Sequence, residues 1–257
     1  MNGAFEVGAV AMKANQRALE TVANNVANVN TPSFKRSDVQ FAEIVTAPPT
    51  AVTETDRLAA EAFARSGGVR MSTRAMIDEL GELRASTSAM DVAIDGAGFI
   101  EIMGPEGQTQ LWRGGRLEVD RDGYLAAAGA GTLRSLIAVP DDITAIQIAR
   151  DGTVTGTGND GAELELGQIM LVRPESMGDL ERIDAGFYRL VDGARALDAV
   201  PGEDGVGAIE QGMVEGSNVE MTAAMVEMLV LQRAFAASAQ VVQAADQISS
   251  ITNNLKR

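Results

Sequence analysis

Residues 218–255 read NVEMTAAMVEMLVLQRAFAASAQVVQAADQISSITNNL, and this stretch predicts a helix that is apolar on two sides. Val230, Ala234, Ala237, Val241, Ala244, Ile248, Ile251 and Leu255 are spaced alternately by four and three, the spacing of a coiled-coil seam. Nearly opposite runs a second stripe: Met221, Met225, Met228, Leu231, Phe235, Ala239 and Val242. One intramolecular partner covers one stripe, so the other should face more protein, as in a subunit built to stack. A central helix in an ordinary globular core is the alternative that spacing alone leaves open. The methionines favour a contact surface, because thioethers adapt to irregular partners. Unbroken, such a helix reaches about 57 Å at 1.5 Å per residue.

The other end of the chain offers a partner. Phe5, Ala9, Met12, Gln16, Leu19, Ala23 and Val26 repeat the four-three spacing with one polar exception. Ala4, Val7, Ala11, Ala14 and Ala18 make a second, small-residue face that allows helix axes to approach closely. The two ends are therefore expected to pair as a coiled coil.

Composition narrows the class of function. The chain has 257 residues, 46% of them hydrophobic, enough for one large or two modest domains with a real core. With 21 basic and 36 acidic residues the formal net charge is −15, and the longest basic run is Lys35-Arg36, which argues against nucleic acid as a partner. Cysteine and histidine are both absent. That removes disulfides, the usual zinc sites and the commonest general base near neutral pH, so neither an enzyme nor a cofactor is expected. Glu6 interrupts the only candidate apolar run of a secretory signal, and no stretch approaches eighteen uninterrupted apolar residues, so export without cleavage and no membrane insertion are expected.

Four stretches follow along the chain. Residues 1–35 hold the first helix and its end, where Asn24, Asn25, Asn28 and Asn30 precede Thr31-Pro32 and turn the chain out of the helix. Residues 36–87, with Pro48-Pro49 and Gly67-Gly68, read as an extended connector with a helical start around Asp56 to Arg65. Residues 88–208 alternate short apolar runs with Asp95-Gly96, Gly114-Gly115, Asp122-Gly123, Asp151-Gly152, Asp160-Gly161 and Asp192-Gly193, the pattern of an antiparallel β-domain. Residues 209–257 close the chain with the long helix. The fold class is thus α+β, with terminal helices and a central, mostly antiparallel β-domain. Asp120, Asp122 and Gly123 resemble the start of a calcium loop, but the later ligands are missing and a hairpin turn accounts for them.

Three segments carry a resemblance to a known family. Ala23-Asn24-Asn25-Val26-Ala27-Asn28 followed by Thr31-Pro32-Ser33-Phe34-Lys35-Arg36 resembles the N-terminal signature of flagellar basal-body rod and hook proteins. Met90 to Gly96 with Gly98-Phe99, and then Arg113 to Leu125, resemble the family's central segment. Gln211-Gly212, Glu215 to Val219, Met225-Val226 and Gln232 to Phe235 resemble its C-terminal signature. The resemblance implies an exported axial protein whose terminal helices pack as an inner coiled-coil layer among copies of itself and other rod and hook proteins. It also implies passage through the flagellar type III export apparatus. The expected subunit interface comprises Phe5, Met12, Leu19, Val26, Asn24, Asn25, Asn28 and Phe34 at one end, with Met221, Met225, Met228, Leu231, Phe235, Val230, Ala237, Val241, Ala244, Ile248, Ile251 and Leu255 at the other.

Size favours a rod subunit over a hook protein, and residues 169–190 favour the proximal over the distal type. A secreted coiled-coil adhesin and a β-domain enzyme or sugar-binding module are the rival classes. Three positions depart from the family pattern. Ser33 stands where glycine is usual, which leaves open a negative φ or a strained serine. Phe235 replaces a tyrosine, and Trp112 is expected on the outer surface.

Overall fold

A computed structural model describes residues 2–43, 69–104, 107–184, 186–203 and 205–255. The helix expected to start around Asp56, together with Pro48-Pro49 and Gly67-Gly68, lies outside them. The chain forms two compact units, one from Met1–Ala27, Ser37–Ala75 and Glu220–Arg257, the other from Asn28–Arg36 and Met76–Val219.

The first unit holds both long helices, α1 (Asn2–Ala27) and α2 (Met221–Leu255), and the antiparallel pair β1 (Ser37–Glu43) and β2 (Val69–Ala75). These strands lie in the stretch read as a connector. At 26 and 35 residues the helices are about 39 and 52 Å long at 1.5 Å per residue. They lie side by side and antiparallel: a Cβ at Gly8 would meet Val242 Cγ2 at 2.6 Å, and Asn15 Nδ2 donates to Ser238 Oγ at 3.4 Å. Glycine at position 8 thus permits the close approach.

The covered line along α1 is Gly8, Ala11, Asn15, Ala18, Val22 and Asn25, with Ala18 and Val22 fully buried. That differs from the predicted seam, in which Ala9, Gln16 and Ala23 are exposed and Met12, Leu19 and Val26 are half-buried. The reason is steric, since small side chains on a helix let a neighbouring backbone come nearer than a row of bulky ones does. Along α2 the less exposed line is Ala224, Met228, Leu231, Phe235, Ser238, Val242 and Ala245.

Among its described residues the second unit's regular elements are all β-strands apart from one short 3₁₀ turn. Its strands are β3 (Leu83–Ala85), β4 (Asp91–Asp95), β5 (Phe99–Met103), β6 (Thr109–Trp112), β7 (Gly114–Val119), β8 (Leu125–Ala127), β9 (Gly131–Leu133) and β10 (Ile143–Ile148). They continue as β11 (Thr153–Gly158), β12 (Glu163–Gln168), β13 (Leu171–Pro174), β14 (Leu180–Asp184), β15 (Phe187–Leu190), β16 (Ala196–Ala199), β17 (Ala208–Gln211) and β18 (Met213–Glu215). Eleven form one antiparallel sheet along the path β14-β15-β6-β5-β9-β8-β7-β4-β17, with β13 joining β5 to β16. β10, β11 and β12 make a second sheet, and β18 pairs with β3.

Five of the six predicted turn dipeptides provide corners, and the sixth, Gly114-Gly115, instead opens strand β7 opposite Ala93 and Val92. In each the second glycine holds a positive φ, from 80° at Gly161 to 145° at Gly115, a conformation that costs a side-chain-bearing residue free energy. Asp120 closes one such corner: Oδ1 accepts from the N–H groups of Asp122 and Tyr124, each at 2.9 Å, and Oδ2 from Thr132 Oγ1. The Tyr124 N–H is the main cause that holds this carboxyl below the usual range. The core gathers Val92, Ile94, Ile100, Ile102, Leu117, Leu125 and Leu133 around Trp112. Trp112 is 3% exposed and stacked on Phe187, centroids 6.3 Å apart, so it is a core residue and not a surface one. A large aromatic ring gains most from burial when it packs against apolar neighbours, as here.

Candidate assembly surface and buried charge cluster

The covering of α2 on one side leaves its other apolar stripe bare. Val230, Val241, Ile248 and Ile251 are 54–60% exposed, and Ala237 and Ala244 on the same line are exposed as well. The methionine stripe divides. Met228, Leu231 and Phe235 lie on the less exposed line, whereas Met221 and Met225 stand out to solvent. The side chains of Phe5 and Leu255 are outside the described residues. By length and a mean hydropathy of 1.2, Met221–Ile248 would also suffice to cross a membrane, so the expected lack of insertion does not follow from hydropathy.

The asparagines bond within the chain. Asn25 is buried, and its side-chain amide exchanges two bonds of 2.8 Å with the backbone N–H and C=O of Ser37, which fixes the start of β1 against the end of α1. Asn28 takes bonds from Thr31 N and Thr31 Oγ1, both 3.1 Å, and so forms the turn after the helix. Asn24 is exposed. Phe34, expected at a subunit interface, is instead 3% exposed in its own chain, with the Arg182 guanidinium 4.8 Å from its ring centre.

Sequence reasoning did not single out the group of charges in the β-rich unit. Lys35, Arg113 and Glu215 are each at most 2% exposed. Glu215 Oε1 accepts from Lys35 Nζ at 2.5 Å and from Gly81 N at 2.9 Å, and Oε2 accepts from Arg113 Nε and Nη2 at 3.1 and 3.0 Å. The remaining guanidinium hydrogens reach the carbonyls of Ile94, Gly96 and Gly98, and Lys35 Nζ also donates to Glu79 O at 2.6 Å. Every charged oxygen is thereby bonded, the condition under which buried charge is tolerated. Burial alone would raise the Glu215 carboxyl, but the Arg113 and Lys35 charges hold it below its usual 4.5. Burial pulls the Lys35 ammonium below 10.5 in spite of Glu215. The two directions agree with two cations around one anion: the site keeps the carboxylate charged and penalises the extra cation.

The backbone on either side is bonded with equal care. Ser33 N donates to Glu215 O at 2.8 Å, Arg36 N to Asn218 Oδ1 at 2.6 Å, and Arg182 Nη1 to Lys35 O at 2.9 Å. Ser33 adopts φ 56°, so the serine is strained, and Gly186 leaves room for it: a Cβ there would lie 2.9 Å from that of Ser33. Beside the cluster the Tyr188 hydroxyl is buried with no hydrogen-bond partner among the described residues, and burial pushes it up to about 12. The one sequence signal for the cluster was indirect, since Lys35, Arg113 and Glu215 fall one in each of the three family-like segments.

Comparisons with known proteins agree with that pattern. Residues 5–35 match the family model of flagella basal body rod proteins, residues 93–156 that of the flagellar hook protein FlgE/F/G D1 domain, and residues 210–255 that of the flagellar basal body rod FlgEFG protein C-terminal region. The flagellar basal-body rod protein FlgG of Borreliella burgdorferi is 30% identical over all of both chains. FlgG of Bacillus subtilis is 31% identical over 97% of each chain. The flagellar hook protein FlgE of Rhizobium meliloti is 29% identical over 77% of this chain and 51% of its own. A chain whose three matched segments converge on one buried ion cluster, and whose relatives match it from end to end, belongs to the flagellar basal-body rod and hook family and is a structural subunit of the flagellar axis.

Proposed function

We infer that this subunit polymerises with copies of itself and with related axial proteins into the rod, at the distal, FlgG-type position, and carries torque there. The full-length likeness to proteins named FlgG supports the distal position, against the proximal type that residues 169–190 favoured. The observation that carries the assembly reading is the bare stripe of α2, from Val230 to Ile251. In this reading α1 and α2 form one antiparallel coiled-coil pair. Neighbouring subunits cover the second face of α2, with Leu255 continuing its spacing and Met221 and Met225 at its flank. Long helices packed side by side resist torsion through area rather than through one strong contact. The chain reaches its site through the type III export apparatus without cleavage.

The test is to express Ala237→Glu with Ala244→Glu in a strain lacking the native subunit and to image its basal bodies. Rods that stop short of the distal segment are expected. Full-length rods built from that variant would overturn the assembly reading, and a deletion strain whose rod stops at the proximal segment's base would overturn the distal one.

A further inference from the structure

We propose that residues 31–36 form a strap, plugged by Lys35 into a preformed socket in the β-rich unit, that detaches as one piece while the rest of that unit stays folded. This goes beyond the assembly reading and does not depend on it. The socket is held by bonds that do not involve the strap. Arg113 grips Glu215 Oε2 twice and is itself anchored on the carbonyls of Gly96 and Gly98, at 2.9 and 2.7 Å, while Gly81 N fixes Oε1. Asn218 is aimed in the same way: its Nδ2 donates to Met76 O and Glu79 O, both at 3.0 Å, which leaves Oδ1 turned to Arg36 N.

With the strap out, Glu215 and Arg113 remain as a neutral, fully bonded pair. With the strap in, Lys35 adds a second cation to a site shut off from water, and burial already disfavours its charge. Its docking is thus a balance between a strong attraction and a strong desolvation cost, unlike the pair beneath it. Ser33, at φ 56°, is released from a sparsely populated conformation when the strap leaves.

Native-state hydrogen exchange on the full-length chain tests this. In the wild type, the amides of Ser33 and Arg36, bonded to Glu215 O and Asn218 Oδ1, should exchange at least about tenfold faster than those of Leu117 and Leu125, with little dependence on low denaturant. Lys35→Met should speed the strap amides by about a further tenfold and leave Leu117 and Leu125 within about twofold. Glu215→Gln should speed both sets. The proposal is overturned if the wild-type strap exchanges only through global unfolding, at the rate and denaturant dependence of Leu117. It is equally overturned if Lys35→Met accelerates both sets alike, fails to fold, or leaves the strap unchanged.

Discussion

The two compact units settle their surfaces in opposite ways. In the β-rich unit the buried charges are satisfied internally: Lys35, Arg113 and Glu215 share eight bonds, and Val92, Ile94, Ile100, Leu117, Leu125 and Ile209 close over one another, while Leu136 and Leu197 stand singly at the surface. In the helical unit one face of α2 is covered and the other is not, with Ile251 still 59% exposed. The difference teaches where self-sufficiency ends. The exposed apolar residues of α2 follow one continuous line, and in the proposed assembly that line is what more protein would cover.

The strongest way to break this contrast is to damage the self-sufficient side. Glu215→Gln keeps the shape of the side chain but leaves Lys35 and Arg113 buried without a counter-charge, and should cost about 3–5 kcal/mol in chemical denaturation of the β-rich unit. A loss under about 1 kcal/mol would mean that water enters the site and the unit is less closed than its burial indicates.

Ala237→Glu with Ala244→Glu attacks the other side. These positions are exposed, so unfolding of the single molecule should shift by less than about 0.5 kcal/mol per site, while incorporation into the axis is lost. An equal loss of stability in the monomer would show that the stripe is covered within one chain. Ala18→Leu probes the covered face of the helices, where a larger side chain on a fully buried position should cost about 1–3 kcal/mol and lower the helix content seen by circular dichroism.

The pH dependence sharpens the comparison further. Glu215 is held below its ordinary 4.5, so its contribution is complete above that value and drains away as pH falls through the lower folded value. Lys35 is held below 10.5, so the folded state sheds its proton more easily than the unfolded one, and stability should rise with pH as 10.5 is approached. Unfolding midpoints followed by Trp112 fluorescence should show both trends, and Lys35→Met should remove the alkaline one. The smallest effect is expected from Ser33→Gly, which relieves φ 56° and loses a long 3.5 Å bond from Oγ to Gly114 O, for a net change within about 1 kcal/mol in either direction.

Period and punctuation were legible wherever the signal is local. The two-sided apolarity of residues 218–255, the end of α1 at the asparagines and the aspartate-glycine corners of the sheets are written in spacings of two to seven residues. Strands β1 and β2 were not, because Ser37–Glu43 and Val69–Ala75 are mixed in polarity and become a pair only by meeting each other across the intervening chain. Trp112 went astray for a similar reason, since a lone aromatic between a strand and a glycine pair carries no mark of the face it joins.

By itself, then, the chain determined that α2 has more apolar surface than one neighbour can cover, because helical periodicity converts spacing directly into faces. Only the tertiary structure decided which line of α1 lies against it, since close approach at Gly8 depends on both helices at once. It also decided that Lys35 and Glu215, 180 residues apart, would share one buried bond. Charge pairing at that separation has no period to read: a lysine and a glutamate look like surface residues until the fold removes the water around them.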